Sequence, residues 1–548
     1  MNKKIENNKE LSKNHKILAK NTLFSFLASY GNYISSIITS FIIARIISQE
    51  NWGFLILATS IVNIFTFILL FFPPSLGLAM NYYIPQYQAL NQYSKLKSIV
   101  QKSLIIRLLF VIPVYFLSLL IYYLFFDFFK LGLKNYTYLF YILSPLIIIN
   151  SFDTNLKDIS RALNMFQFVF ILFLIKYIVN IGGLIYVFLF INTNEVNIIA
   201  LITLFSSLIP FIINILSIFL ILKYKIKKTD ENSLTFHETF KNIYKYGSIL
   251  SIKNFLDNFY REFKVQSVGF LIAPEFATGF NIAQHYQDVS IEAVRSLGKP
   301  LTISFSSLYS VKQFKQIEKI YTVFFSYSLF LILLLTGILY FLVDIFLFLI
   351  YGESYLSFSL VVKLMLMIAI FTLPSTIFFS LLRASDKIKY AIPLSFLYIS
   401  IRIPLFLIGL IYFGIEGGVL LLIIAEIFIS IGFVLLTKKT FKIQLSFKKH
   451  GLPYILFFFS LGMTIIMEFF FLSEFNRIIL TFLNLQIFRY FNLISLAVFF
   501  LSFLFLVFLF KVFNSTDIEN IKALFNKDNF IHKSIRRGLR ILNKFVRE

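Results

Sequence analysis

The chain has no cysteine, which excludes disulfides, thiolate-ligated metals and thiol catalysis. Charge is scarce too: Asp, Glu, Lys and Arg together make up 14% of 548 residues, against roughly 25% in soluble domains. Acidic residues are the scarcer sign, 27 against 51 basic, for a net charge of +24. The 5 histidines form no metal-ligand spacing. No P-loop occurs, which argues against direct drive by ATP. What the chain has instead is hydrocarbon: 58% hydrophobic residues, with 72 Phe and 30 Tyr. In water much of that apolar surface would stand exposed, so the solvent is lipid. The basic excess then belongs in cytoplasmic loops, not at a nucleic-acid interface, because no Lys/Arg-rich folded module remains once the spans are removed.

A helix needs about 20 apolar residues to cross the bilayer core. Such runs predict fourteen spans, at 22–47, 52–78, 98–125, 136–157, 166–190, 196–222, 246–272, 276–300, 320–350, 357–382, 389–413, 415–437, 452–472 and 487–511. The loops between them alternate in charge. One side carries Lys95 and Lys97, Lys157 and Arg161, Lys223 to Lys245, Lys312 to Lys319, Arg383 and Lys387, and Lys438 to Lys449. The other carries little beyond Lys130, Lys134 and Arg477. That asymmetry places both termini in the cytoplasm of a multi-pass protein of the cell membrane. Six lysines precede the first span and no small-residue cleavage site follows it, so no cleavable signal is expected. The tail 512–548 reads as a basic amphipathic helix lying on anionic headgroups.

The longest interior basic linker, 223–245, divides the spans, and the segments on either side echo one another. Glu50-Asn-Trp-Gly53 is matched by Glu275-Phe-Ala-Thr-Gly279. Pro85, Tyr93-Ser94 and Lys95, Lys97 and Lys102 are matched by Pro300, Tyr309-Ser310 and Lys312, Lys315 and Lys319. Offsets of 215 to 226 residues recur in order. The expected architecture is all-α integral membrane. A basic N-terminus 1–21 leads into two pseudo-symmetric six-helix lobes, 22–222 and 246–437, followed by a terminal helix pair 438–511.

Three short segments carry a family resemblance: Ala44-Arg-Ile-Ile-Ser-Gln-Glu-Asn-Trp-Gly53, Ile350-Tyr-Gly-Glu-Ser-Tyr355 and Tyr412-Phe-Gly-Ile-Glu-Gly-Gly418. With the span number and lobe division, they resemble the oligosaccharide flippases and polysaccharide exporters of the multidrug/oligosaccharidyl-lipid/polysaccharide superfamily. The resemblance implies two bundles around a central cavity that opens alternately to either side. It also implies a polyprenyl-pyrophosphate-linked oligosaccharide as substrate, moved from the cytoplasmic to the outer leaflet for cell-surface glycan assembly. Membrane lipids and glycan assembly enzymes would be its partners. No cofactor is expected, and proton or sodium coupling stays open. A cation-coupled multidrug exporter of the same superfamily is the alternative. A membrane polymerase or glycosyltransferase is a further one, disfavoured because no long outer loop is present to hold a catalytic site.

Ionisable groups inside a membrane face a bundle interior or a wet cavity. In the seventh span Lys253, Asp257, Arg261 and Lys264 fall on one helical face. In the eighth, Asn281, His285, Asp288, Glu292, Arg295 and Lys299 do the same. One reading has both stripes lining a hydrated vestibule. Arg261, Arg295 and Lys253 would meet a pyrophosphate, while His285, Asn281, Asn258 and Gln284 would bond sugar hydroxyls. Asp257, Asp288 and Glu292 would balance the cations or titrate for coupling. The other reading is a ladder of ion pairs that pins the helices together, with Asp257–Arg261 as one rung. In the first lobe Asn32, Asn63 and Lys176 are cavity candidates, with Lys176 near mid-membrane. Arg402 and Glu426 could pair, and nothing in the sequence accounts for Glu468.

Overall fold

The structure is a computed structural model. It describes residues 24, 27–28, 31–71, 76–125, 137–191, 195–226, 233–295, 301–302, 305–306, 308–309, 312–472 and 493–512. The basic N-terminus, the amphipathic tail, Lys299, Lys130, Lys134 and Arg477 lie outside them. Among the described residues there is no strand. Nine described helices are long and apolar enough to cross a membrane.

The described residues form two compact units, one within Met1–Ile282 and Lys387–Leu421, the other within Ala283–Asp386 and Leu422–Glu548. The first unit holds α1 (31–46), α2 (Gln49–Phe71), α3 (Leu76–Ala89), α4 (Tyr93–Phe125) and α5 (Thr137–Leu143). It continues with α6 (Pro145–Ala162), α7 (Phe166–Tyr186), α8 (Val196–Leu220) and α9 (Phe236–Leu271). The start of α10 (Pro274–Arg295) also belongs to it. The second unit holds α11 (Phe314–Phe346), α12 (Ser359–Phe371) and α13 (Leu373–Ala384). Next comes α14 (Ala391–Phe441), whose first part belongs to the first unit. The second unit ends with α15 (Leu452–Met467) and α16 (Leu493–Leu509).

Helices α9 and α10 are 36 and 22 residues long, yet neither is among the nine. Their density of Lys, Asp, Arg and Glu is the reason, and a helix so charged needs protein or water beside it rather than lipid. Helices α4, α7 and α8, by contrast, expose Phe116, Ile178 and Phe219 among many apolar side chains. In a membrane such faces meet acyl chains, while the backbone satisfies its own hydrogen bonds.

Breaks fall where the backbone demands them. The predicted run 357–382 is two helices, because Pro374 lacks the N–H a continuous helix needs at the Thr372 turn. In α14, Gly414 has φ +70, and beyond it the chain folds back. A Cβ on Gly409 would strike the Gly417 carbonyl, so Gly409 and Gly417 lie in close backbone contact. The glycines of Tyr412–Gly418 thus serve a tight reversal. Gly414→Ala is expected to cost about 1 kcal/mol, read as a lowered midpoint of thermal unfolding.

The N-terminus of α9 carries a capping box: the Glu238 N–H donates to Thr235 Oγ1 at 3.2 Å, and the Thr235 N–H to Glu238 Oε2 at 2.7 Å. The bond from the Thr235 backbone, then that from its side chain, holds the Glu238 carboxyl below the ordinary glutamate range. Its contribution is therefore present above the ordinary glutamate pKa and is lost as pH falls through the depressed one. Glu238→Ala should speed amide exchange in the first turn of α9 at neutral pH and make a smaller difference under strong acid.

The core of the second unit is aromatic. Phe499 and Phe503 stack at 5.9 Å, and Phe457 meets both edge-on at 5.7 and 6.0 Å. Gly337 leaves the room that the Phe499 ring occupies. Near the end of α11, Asp344 accepts bonds from Ser359 and, at 2.7 Å, from Lys363 of α12.

Candidate substrate site

The site is built on α9 within the first unit. One face of α9 is anchored to α2. Gln266 Nε2 donates to the Leu57 carbonyl at 2.8 Å, Asn63 Nδ2 to Glu262 Oε1 at 3.2 Å, and Ser60 Oγ to the Glu262 carbonyl at 3.3 Å. Gly269 lets Leu57 approach. At the adjoining end, Thr278 Oγ1 of α10 donates to the Gln49 carbonyl at 2.9 Å. Gly53 lies where a Cβ would strike the Pro274 carbonyl. The two echoing motifs, Glu50–Gly53 and Glu275–Gly279, are therefore in contact through their backbones.

A second face of α9 carries the cationic stripe. Lys253 is buried and pairs with Asp257 one turn on. Asp257 also accepts a hydrogen bond from the Tyr398 hydroxyl of α14. One turn along α14, the Arg402 guanidinium lies over the Tyr398 ring at 4.5 Å and over Tyr260 of α9 at 5.6 Å. The buried Lys264 ammonium also lies over Tyr260, at 4.7 Å, and over Phe280 of α10 at 5.8 Å. Two cations thus share one ring, no farther apart than those two distances together. Ring faces attract and orient each cation.

The remaining predicted positions fall as follows. Arg261 and Asn258 are half-buried on α9. Asn63 is engaged by Glu262, and Asn32 accepts from Tyr177. Lys176 is half-buried on α7. Asn281 is half-buried in the first unit, while Gln284, His285, Asp288 and Glu292 belong to the second. Gln284 is buried, and neither of its amide atoms has a hydrogen-bond partner among the described residues. The Arg295 side chain lies outside the described residues. Asp257 pairs one turn back, to Lys253, where the ladder reading had expected Arg261.

Sequence reasoning missed Tyr260, Tyr398 and Glu262, and it placed Arg402 only opposite Glu426. The signal was present: Tyr260 sits between Asp257 and Lys264 on their own stripe, and Tyr398 and Arg402 repeat the four-residue spacing of Lys253 and Asp257. Among the described residues no group of His, Cys, Asp and Glu is arranged to hold a metal ion.

The helical fold of the described residues and its nine apolar helices are those of a multi-pass membrane protein. The fold is similar to an inward-facing multidrug resistance MATE family transporter of the same superfamily, with TM-score 0.64, 12% identity, and coverage of 75% of this chain and 94% of that one. It is also similar to a Vibrio cholerae MATE transporter, with TM-score 0.57, 14% identity and coverage of 79% and 98%. A Pyrococcus furiosus superfamily transporter whose binding pocket is described as of reverse polarity gives TM-score 0.57 at 13% identity, covering 78% and 96%. Residues 18–289 match the family model described as polysaccharide biosynthesis protein. That stretch is just under half of the chain, and it is similar to the polysaccharide biosynthesis proteins that the model describes. No curated protein matches it.

Proposed function

We propose that the protein is a flippase that carries a polyprenyl-diphosphate-linked oligosaccharide from the cytoplasmic to the outer leaflet by alternating access. The observation that supports this most is the convergence of Lys264 and Arg402 on the Tyr260 ring, beside the Lys253–Asp257 pair. A diphosphate diester carries about two negative charges, and guanidinium forks bind such oxygens in pairs. Lys264 and Arg402 would supply an ammonium and a guanidinium to it beside Tyr260. Asp257 plays the complementary part: it neutralises Lys253 when the site is empty and yields that lysine when the diphosphate arrives. Tyr260, Tyr398 and Phe280 offer aromatic walls that orient the two cations.

The fold neighbours support a second reading, export of lipophilic cations. A cation-rich site disfavours it, because a like charge would have to be desolvated against Lys264 and Arg402. Titrating the purified protein with farnesyl diphosphate and, separately, with tetraphenylphosphonium decides between them. The flippase reading expects saturable binding of the diphosphate, weakened by added salt, and none of the phosphonium. Binding of the phosphonium alone would transfer the site to the exporter reading.

A further inference from the structure

A second polar cluster lies within the first unit, on helices that carry none of the site just described. On α6, Asp153, Lys157 and Ser160 share one face. Lys157 and Asp153 form an ion pair. Asn214 of α8, fully buried, donates from Nδ2 to Asp153 Oδ1 at 3.2 Å and accepts from Ser160 Oγ at 3.4 Å. Asp153 is thereby occupied twice. The third helix, α7, adds Lys176, whose electrostatic neighbours are Lys157, which repels it, and Asp153. Among the described residues the Lys176 ammonium has no hydrogen bond and no carboxylate in ion-pair contact. It sits ten residues into α7, about 15 Å along the axis from either end, too deep to reach a headgroup.

Two ammoniums therefore share one carboxylate within the apolar spans, where uncompensated charge is expensive. An anionic oxygen group arriving at Lys176 would compensate it, with Lys157 and Asn214 beside it as further donors. The diphosphate already has its place at Lys253, Lys264 and Arg402. We infer that the cluster of Lys176, Lys157 and Asn214 is a second anion site, and that the oligosaccharide it receives is acidic, bearing a carboxylate or phosphate on its sugars. This rests on the flippase reading and narrows its substrate class.

The test uses the full-length protein in vesicles with two polyprenyl-diphosphate disaccharides that differ only in a glucuronic acid replacing a glucose. A third carries a phosphorylated hexose and separates carboxylate from phosphate recognition. Wild type is expected to move at least one acidic substrate about tenfold faster than the neutral one, the effect of one charge-assisted hydrogen bond. Lys176→Met should erase that preference, and Lys176→Arg should keep it. Equal rates for acidic and neutral glycans in wild type would overturn the inference. So would a Lys176→Met variant that lowers all three alike, which would make Lys176 a station for the shared diphosphate.

A parallel binding measurement keeps the outcome independent of flipping, using free glucuronate-containing, hexose-phosphate-containing and neutral disaccharides with purified protein. If no lipid-linked substrate moves, the flippase reading fails. Selective binding of either acidic disaccharide, lost in Lys176→Met, would still uphold the anion site, and equal binding of all three would reject it. Should Lys176→Met fail to fold, Asn214→Ala serves in its place with the same expected loss of preference.

Discussion

Replacing Arg402 by alanine is expected to lower transport of a diphosphate-linked substrate by about 10- to 100-fold, the range of one or two charge-assisted hydrogen bonds. Membrane insertion should be unchanged, because α14 keeps its apolar surface. The argument rests on position: Arg402 stacks on Tyr398 and Tyr260, so its fork is oriented before any ligand arrives. Arg402→Lys should recover only part of the loss, since an ammonium binds phosphate as a point charge without the bidentate geometry. If Arg402 served only to cement α9 to α14, alanine would lower the thermal midpoint and leave transport per folded molecule intact. Measuring both quantities on the same preparation separates the two roles.

The second large effect is at Gly53. A side chain there would strike the Pro274 carbonyl at the start of α10. Gly53→Val should force α2 and α10 apart, at an overpacking cost of about 1–3 kcal/mol. Thermal unfolding in detergent should show a clearly lowered midpoint. Gly182→Ala is the control: an added Cβ meets no atom within 4 Å there, so the midpoint should hold or rise slightly. A Gly53→Val protein as stable as wild type would show that the contact of the two echoing motifs carries no packing energy. The chain's lack of cysteine gives a direct complement: paired cysteines introduced at Gln49 and Thr278 would form the only disulfide available.

Much of this fold was legible because lipid imposes strict rules on sequence. The run lengths marked α4, α7, α8 and α11 as spans, and Gly414 marked the reversal between two more. The Pro374 break was not read, since the residues on both sides of it are equally apolar. At the site, helical spacing put Lys253, Asp257 and Lys264 on one face, and the structure keeps Asp257 with Lys253. What spacing within a helix cannot reveal is which other helix comes alongside. Tyr398 and Arg402 lie about 140 residues from Asp257 and Tyr260, and only packing brings them together. Asn63 was grouped with cavity residues for being polar in a span. The structure spends its amide on Glu262, at a helix contact that needed both partners to be seen.

The measurement that tests the central claim most directly is leaflet accessibility of a fluorescent polyprenyl-diphosphate oligosaccharide in vesicles with and without the purified protein. The account predicts protein-dependent appearance of the sugar on the far side, slowed by Arg402→Ala and by Lys264→Ala. No movement across neutral and acidic glycans, with proton and sodium gradients imposed in either direction, would contradict it and leave the fold with a different cargo.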